Sequence, residues 1–370
     1  MRLSKTVTIK LSTLLYAGII IVIVADVFIH LVDITDTKKK TDKTPIMSTV
    51  HRRDRRHDKA TIVCIPGVPC EYTDSVDFRI VLMTFRRATA LLKTLQALNE
   101  LEMGGDTAAL EIWIDRDKNN HVDPATLKAA KDFKWSLGHK RVHVQQRHVG
   151  IYGQWIDTWR PKGDPNELVL LLEDDITLSP YAYKWLKAAR NQFSSRKDIL
   201  GYTLQSQLIN RAIGKGPVFG PSTNPFFLYR LMGSHGFVPK PSVWRQFQDW
   251  FHEKRRNRSF KPYVPGILMT KWYRKFEKKG TQDSMWTMWF IYFTNKANLY
   301  CVYNNLPTQF HRDDVCLAVH RREAGLHFQG QGLNNSHLLL RTWNKAHVAL
   351  AKNIAKIEFD GKITIEDVKK

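Results

Sequence analysis

The sequence predicts an α/β domain whose mainly parallel, Rossmann-like sheet is flanked by helices. Four apolar segments have the length and composition of buried strands, and helical segments follow them. Strands that alternate with helices form parallel sheets through right-handed crossovers, and helices normally cover both faces of such sheets. The four segments are FRIVLMT from Phe78, LEIWID from Leu110, RVHVQQ from Arg141 and LVLLLEDD from Leu168.

The helices between these strands are predicted from periodicity and from end signals. RRATALLKTLQALNEL, after the first strand, has helical periodicity. Further helices are expected after Asp123-Pro124 and from about Gly150. In SPYAYKWLKAARNQF, Ser179 is the expected N-cap and Pro180 takes the first helical position, where its missing amide is tolerated.

The second half of the chain changes character at about Ile199, and a Gly- and Pro-rich stretch over 214–225 interrupts it. Its elements are again predicted from local pattern. They are a strand in ILGYTLQSQ, a helix in PSVWRQFQDWFHEKRR, an aromatic helix over 283–294, a strand in NLYCVYN and a helix over 338–356.

An apolar run over Leu11–Val32 predicts a transmembrane signal anchor. As a helix it would be about 33 Å long, enough to cross a bilayer core. The basic tail before it favours a cytosolic N-terminus. A cleaved signal peptide is the alternative, but no clear cleavage site follows Val32. The predicted organisation is a cytosolic tail over 1–10, the anchor over 11–32, a lumenal stem over 33–77, a globular domain over 78–356 and a tail over 357–370.

The charge balance suggests a second class of protein, one that binds nucleic acid. The formal net charge is +22, from 57 basic and 35 acidic residues, which a nucleic-acid-binding protein could also show. Much of the excess lies in clusters that are typical of solvated or anion-facing surfaces. No helix-turn-helix, RNA-binding or finger motif is present, and a membrane anchor conflicts with this class, so we expect no nucleic-acid partner.

Four cysteines and two sequons fit a lumenal domain. Cys64 and Cys70 bracket a short loop, and Cys301 and Cys316 lie late in the chain. The pairings expected are 64–70 and 301–316, although four cysteines allow three connectivities and buried thiols are the alternative. Asn257 and Asn334 begin N-glycosylation sequons, which also arise by chance.

Polar residues follow each of the four predicted strands, and they point to a ligand site. In open α/β sheets, ligands bind beyond the carboxyl ends of the strands. The residues at these ends are Arg86 and Arg87, then Asp115, then His148, and finally Glu173, Asp174 and Asp175. Basic groups and carboxylates are therefore expected to converge at one edge of the sheet.

The Glu173-Asp174-Asp175 cluster is the sharpest of these features. Three adjacent carboxylates after an apolar strand repel one another and are unfavourable unless cations balance them. Manganese or magnesium would bind such oxygens and bridge substrate phosphates. A solvated acidic turn before a helix N-terminus is the alternative. The position at the end of the fourth strand favours a functional role.

Four segments, in this order and spacing, resemble glycosyltransferases of the GT-A fold. They are FRIVLMTFRRATALLKTLQAL, LEIWID, RHVGIYGQW and LVLLLEDDITLSPYAYKWL, and the nearest resemblance is to the N-acetylglucosaminyltransferase I group and related family 2 enzymes. LGYTLQSQ, FFLYRLMGSHGFVPKPSVWRQFQDWF and WTMWFIYF resemble uncharacterised eukaryotic relatives of that group. Together these segments cover about residues 78–330.

The resemblance implies a metal-dependent transfer of a sugar from a nucleotide donor, such as a UDP-sugar, to a glycan or protein acceptor. It also implies a single-pass Golgi or endoplasmic reticulum membrane protein with a lumenal domain. By resemblance, nucleotide-sugar contacts are assigned to Arg86 or Arg87, Asp115, His148, Glu173 and Asp174, and direct metal ligation to Asp175. His148 could equally be a simple loop histidine. An inactive GT-A-like lectin or scaffold is the alternative function.

Asp283 is where inverting members of the group place the catalytic carboxylate. The usual paired acidic residues before tryptophan are replaced here by Gln282-Asp283-Ser284-Met285-Trp286, and Asp283 could instead be only a helix N-cap. A late polar cluster could add a metal ligand, His320 or His327. Its other members are His311, Asp313, Asp314 and Glu323. Most tryptophans of this half should be core residues, but one or two could stack on a sugar.

Overall fold

The computed structural model describes residues 62–64, 69–162, 167–205, 224–306, 316–329, 332–349 and 352–368. The predicted tail, anchor and most of the stem, together with His311, Asp313 and Asp314, lie outside these ranges, and what was predicted for them stays a prediction. Among the described helices, none is long and apolar enough to cross a membrane.

A ten-stranded mixed sheet organises the described residues, with two short two-stranded sheets beside it. The strands are β1 Ile62–Val63, β2 Glu71–Tyr72, β3 Phe78–Thr84, β4 Ala108–Ile114, β5 Lys140–Val144, β6 Val169–Glu173, β7 Ile176–Leu178, β8 Ile199–Thr203, β9 Phe226–Tyr229, β10 Phe237–Pro239, β11 Tyr300–Asn304, β12 Ala318–His320, β13 Asn353–Ile357 and β14 Ile363–Asp367. The order in the large sheet is β14-β13-β9-β11-β8-β10-β6-β3-β4-β5.

Seven α-helices lie among these strands in the described part of the chain. They are α1 Ala88–Asn99, α2 Pro124–Asp132, α3 Gly150–Asp157, α4 Ala182–Phe193, α5 Pro241–Lys254, α6 Leu268–Lys278 and α7 Thr287–Lys296. A 3₁₀ turn, Gln282–Ser284, separates α6 from α7.

The first four strands of the large sheet are parallel, as their alternation with helices predicts. β3 pairs in parallel with both β4 and β6, and β4 pairs in parallel with β5. Alternate residues of β3 enter two apolar layers: Val81 and Met83 face one, and Ile80 and Leu82 face the other. Burial on both faces is the reason that β3, β4 and β6 are mainly apolar, whereas the edge strand β5 is only partly buried.

The second half of the sheet is mixed because β10 enters it antiparallel. β10 lies between β6 and β8 and is antiparallel to both. Gly201 of β8 makes this pairing close, since a Cβ there would lie 2.4 Å from the carbonyl oxygen of Val238. The rest of this half contains two antiparallel pairs and two parallel pairs.

Several predicted boundaries need correction. Ser179 does not cap α4; its hydroxyl accepts from the Tyr181 amide, and the helix begins at Ala182. The sequence pattern did not predict α6 as a helix. The helix predicted over 338–356 is wrong, because the chain forms short 3₁₀ turns there and then β13, which pairs with β9. Likewise, residues 357–367 are not a tail, since β14 completes the sheet.

The predicted stem ends inside the folded domain. Cys64 and Cys70 form a disulfide that closes the loop between β1 and β2, as expected. The Cys70 amide donates to the Asp157 carbonyl at 2.8 Å, and the Cys70 carbonyl accepts from the Arg160 amide at 2.6 Å. These bonds fix the hairpin at the C-terminal end of α3.

The predicted disulfide between Cys301 and Cys316 is not formed. Cys301 lies on β11 within the large apolar layer that also contains Val81, whereas Cys316 packs with Val319 and Leu339 in a small separate cluster. Their burial in different clusters explains why two cysteines that are close in sequence do not meet. Burial raises the pKa of the Cys301 thiol.

A buried ion network lies near the start of β3. Arg79, fully buried, donates to Glu111 Oε1 at 2.7 Å and to Asp74 Oδ1 at 2.8 Å. Arg141 donates to the same Glu111 oxygen at 2.9 Å. Asp74, Glu111 and His139 bring three ligand atoms within 4.8 Å of one another. Arg79 and Arg141 balance the charges of these two carboxylates.

The network shifts the titration of Glu111. Burial acts to raise the pKa of Glu111, but contacts with His139 and His143 and the charge of Arg79 outweigh burial and lower the pKa from 4.5 to about 2. A carboxyl whose folded pKa lies below its unfolded value stabilises the fold above the unfolded pKa, and this contribution disappears as the pH falls through the folded pKa.

We predict that Glu111→Gln lowers the free energy of unfolding by about 3 kcal/mol at pH 7, since each pKa unit corresponds to about 1.4 kcal/mol. The difference from the parent should shrink as the pH falls from 4.5 towards 2. Urea unfolding across this range measures it, with Glu102→Gln, at an exposed position, as the control. A difference that stays constant with pH would contradict the assigned role of Glu111.

Candidate active site

Glu173, Asp174 and Asp175 form an acidic turn between β6 and β7. The turn lies at the carboxyl ends of the parallel strands, as the sequence predicts. Asp174 is fully buried and Asp175 is 4% exposed, while Glu173 is partly exposed. A solvated acidic turn, the alternative interpretation of the sequence, is therefore excluded.

Three side chains, Arg87, His320 and Thr84, contact the carboxyl groups of the acidic turn. Arg87, just before α1, contacts Asp174 Oδ1 and donates to Asp175 Oδ2 at 2.9 Å. His320, at the end of β12, places Nε2 at 3.3 Å from Asp175 Oδ2. Thr84 donates its hydroxyl hydrogen to Asp174 Oδ2 at 2.5 Å. Asp175 Oδ1 is buried and has no hydrogen-bond partner among the described residues.

Arg321 fixes the backbone of the acidic turn through hydrogen bonds. Its guanidinium donates to the Asp174 carbonyl at 2.6 Å, to the Ala90 carbonyl at 2.8 Å and to the Thr177 hydroxyl at 2.5 Å. Its own amide donates to the Asp175 carbonyl at 2.9 Å. Thr94, on α1, adds a hydrogen bond to the Asp174 carbonyl at 2.7 Å. A turn between strands β6 and β7 is thus fixed by β12 and α1.

The three carboxyls of the turn titrate differently. Burial is the main cause that raises the pKa of Asp174 to about 7. Burial also acts to raise the pKa of Asp175, but the contact with His320 and the charge of Arg87 outweigh it and lower the pKa to about 2. Burial, and then the charge of Asp175, raise the pKa of Glu173. Asp175 is therefore the carboxyl of the turn whose ionised form the surroundings favour.

Stacked tryptophans connect the acidic turn to Asp283. Trp155 on α3 donates to Glu173 Oε1 at 2.9 Å. Its ring stacks on that of Trp286, with centroids 4.4 Å apart. Trp286 directly precedes α7 and follows the 3₁₀ turn that carries Asp283. Asp283 is exposed, and α7 begins without a side-chain cap, so Asp283 is not the N-cap of that helix.

His320 and His327 lie together in the late polar cluster, although only His320 contacts the acidic turn. The His320 ring lies 4.7 Å from that of His235, on the loop before β10. His327 contacts the backbone of Ser284, beside Asp283, and burial lowers its pKa. The cluster therefore spans the space between the acidic turn and the Asp283 turn.

Asp115 and His148 meet at the N-terminus of α3. Asp115 is buried, and its two carboxylate oxygens accept from the amides of Val149 at 3.0 Å and Gly150 at 2.9 Å. His148 Nδ1 lies 3.3 Å from Asp115 Oδ2. Asp115 thus has a structural role that the sequence did not reveal, and any nucleotide contact would have to share it.

The remaining predicted residues lie at exposed positions. The side chain of Arg86 is exposed beside Phe85, and its φ of 53° turns the chain from β3 towards α1. The glycosylation candidates Asn257 and Asn334 are both exposed. The lumenal location to which they point stays a prediction.

Sequence reasoning missed the residues that support the site from a distance. Thr84 ends β3 and could have been found by its position next to Arg86 and Arg87. Thr94 gives no local signal, because it lies within an ordinary helical pattern. Arg321 cannot be distinguished from Arg322 in the sequence. Only the pairing of β12 with β7 brings Arg321 under the acidic turn.

Comparisons with known proteins give a partial family match and distant structural similarities. A family model described as the SPBC1E8.03c C-terminal domain matches residues 87–260, a little under half of the chain. No curated protein matches the sequence.

The similar solved structures include S. aureus TarS 1–349, with 13% identity and a TM-score of 0.36, covering 62% of this chain and 60% of that one. They include the mannosyltransferase PcManGT from Pyrobaculum calidifontis in complex with GDP-Man and Mn²⁺, with 10% identity, a TM-score of 0.34 and coverages of 65% and 59%. TarS 1–349 in complex with UDP-GlcNAc has 12% identity, a TM-score of 0.33 and coverages of 64% and 60%. The chain thus spans about 60% of these structures, and with TM-scores below 0.5 none supports an assignment.

We predict that Arg321→Lys destabilises the domain by about 3 kcal/mol. A lysine ammonium cannot reproduce the planar donor set, and each buried acceptor left unpaired costs about 1–3 kcal/mol. Urea denaturation measures the loss. Arg322→Lys is the matched control, because the Arg322 guanidinium lies over the Phe328 ring, 6.0 Å from its centroid, and not against the acidic turn. Equal effects of the two substitutions would show that Arg321 does not support the turn as described.

Proposed function

We propose that this chain is a metal-dependent glycosyltransferase that uses a nucleotide-sugar donor. The observation that carries the proposal is the acidic turn, in which Asp175 is buried beside Arg87 and His320 and its Oδ1 has no hydrogen-bond partner among the described residues. An ionised, unsatisfied carboxylate oxygen at the carboxyl edge of a parallel sheet is a costly feature that a ligand would relieve. The sequence resemblance to GT-A enzymes names the class of ligand.

The residues of the turn fit a hard divalent cation. Asp175, whose pKa is the one that is lowered, keeps its buried Oδ1 without a hydrogen-bond partner among the described residues even with Arg87 in place. Asp175 would ligate manganese or magnesium through Oδ1, and His320 is the neighbouring side chain able to add a nitrogen ligand. His327, which lies beside Ser284, is the less suitable of the two predicted histidines. A cation held there would neutralise the developing charge of a diphosphate leaving group.

The donor would lie along the carboxyl edge between Arg87 and the N-terminus of α3. Arg87 can exchange an Asp174 or Asp175 contact for a phosphate oxygen, since a guanidinium binds both anions in the same fork geometry. Asp115 and His148, at the start of α3, would face the nucleoside. Because both Asp115 oxygens already accept from amides, we assign Asp115 to positioning the helix as well as to binding.

An inverting transfer needs a base opposite the leaving group. The base removes the proton of the acceptor hydroxyl as that oxygen attacks the anomeric carbon and the bond to the diphosphate breaks. Asp283 is exposed, and the stacked Trp286 and Trp155 connect its turn to Glu173. The Tyr152 hydroxyl fixes the same turn by donating to the Gln282 carbonyl at 3.1 Å. We therefore assign the base role to Asp283.

The second candidate is an inactive GT-A-like lectin or scaffold. The observation in its favour is that Arg87 already pairs with both Asp174 and Asp175, as an internal cation would. In such a protein, sugar binding would not depend on a metal ion. The two functions are separated by metal dependence and by turnover.

We predict that Asp175→Asn weakens UDP-sugar binding by roughly tenfold or more, because one charge-assisted contact of the bound metal is lost. EDTA should reproduce the loss in the parent protein. Thermal stabilisation of the full-length protein by UDP-sugars with manganese measures binding. Asp367→Asn, at an exposed site on β14, is the control. Parent binding that survives EDTA would favour the lectin or scaffold.

We predict that Asp283→Asn keeps donor and metal binding but lowers turnover by at least about a hundredfold, the low end for loss of a general base. Sugar transfer and donor hydrolysis are measured together. The control is Asp249→Asn on α5, where Asp249 pairs with Arg160 at 2.9 Å. Near-normal turnover would remove Asp283 from the mechanism, and a product that keeps the donor's anomeric configuration would overturn inversion.

A further inference from the structure

A strongly basic surface, the basic platform, lies beside the Asp283 turn. It consists of nine exposed basic side chains within 255–261 and 271–279, on the loop after α5 and on α6. Glu277 is the single acidic residue between 254 and 279, and Lys261 pairs with it. The Arg274 guanidinium lies 4.5 Å from the Tyr263 ring centroid. These contacts join the loop and the helix into one surface.

The fold itself does not account for this charge. α6 is anchored by its buried residues Met269, Thr270 and Tyr273, which leave the charged side out of the core. Lys271 and Lys275 are one turn apart on the exposed side, and like charges at this spacing destabilise a helix. The helix C-terminus favours the cations of the last turn, but not Lys271 or those of the loop. An anionic partner would remove the repulsion.

An exposed aromatic ring lies within the basic platform. Trp272 is 40% exposed and makes no ring contact or hydrogen bond among the described residues. An exposed indole presents an apolar face, which suits the apolar face of a pyranose, while the surrounding cations suit sulfate, phosphate or carboxylate groups. Together they match an anionic saccharide better than an anionic group alone.

The basic platform is continuous with the candidate active site. α6 ends at Lys278, and the turn that carries Asp283 begins at Gln282. On the inner side of the helix, the Phe276 ring lies 5.8 Å from the His327 ring, which in turn contacts Ser284. A chain of sugars lying on the platform would therefore reach the carboxylate assigned as the base.

We propose that the basic platform binds the acceptor, and that the acceptor is an anionic saccharide. This inference rests on the proposed function, because only a transferase has an acceptor. Saccharide binding by the platform does not itself require donor, metal or turnover. The proposal specifies two further features of the reaction, the negative charge of the acceptor and the surface that recognises it. That surface consists of Lys271, Trp272, Lys275 and Lys278.

The test compares binding of two labelled probes to the full-length protein in neutral detergent at 0.15 M salt: a sulfated heparin-type octasaccharide and uncharged maltooctaose. The triple variant Lys271→Gln, Lys275→Gln, Lys278→Gln should bind the sulfated probe roughly tenfold more weakly, because three exposed cations that would pair with its sulfate groups are removed. The charge-matched control Lys118→Gln, Lys131→Gln, Lys134→Gln, at exposed positions near α2, should change binding by less than about twofold.

Trp272→Ala should weaken binding of the sulfated saccharide but leave binding of inorganic sulfate unchanged, because sulfate has no apolar face. Donor stabilisation should be the same in all variants. Equal losses in the two triple variants would show general attraction to a basic protein and overturn the proposal. Stronger competition by soluble dihexanoyl-phosphatidylserine than by unlabelled octasaccharide would also overturn it, in favour of a membrane surface. Failure of donor binding alone would refute only the enzyme assignment.

Discussion

The acidic turn depends on one buried cation, the guanidinium of Arg321. It donates to the Asp174 carbonyl, to the Ala90 carbonyl and to the Thr177 hydroxyl, and so joins the turn to α1 and β7. Unpaired buried acceptors are expensive, and a turn with three carboxyls has little apolar contact to hold it in place. The arrangement at the sheet edge therefore relies on a residue more than a hundred positions later in the chain.

Two opposing effects decide how the carboxyls of the turn differ. Burial penalises every one of them, yet only Asp175 receives both Arg87 and His320 on one oxygen. Asp174 is buried more deeply, and contacts with Thr84 and Arg87 do not fully compensate for its loss of water. Two adjacent aspartates thus acquire opposite pKa shifts, because their contacts and their burial differ.

Local pattern predicted the parallel half of the sheet well, because its inner strands β3, β4 and β6 are buried on both faces and its strands alternate with helices along the chain. Local pattern failed where strands that are distant in sequence pair. The segment that forms β13 was predicted as part of a helix, because its pairing with β9 is not visible in the local sequence. The acidic turn was found because strand ends converge by rule. The second role of Asp115 was not found, since a sequence does not show which amides a carboxylate faces.

The attachment of the β1–β2 hairpin has a mechanical consequence. A pull on the chain before β1 is transmitted through the hairpin and its disulfide to Cys70. The bonds from Cys70 to Asp157 and Arg160 hold it against the far end of α3. That end is separated from Gly150, at the sheet edge, by the eight-residue helix, about 12 Å. Tension is therefore carried by backbone hydrogen bonds and a covalent loop at one end of the helix, and the carboxylates beyond its other end bear little of the load.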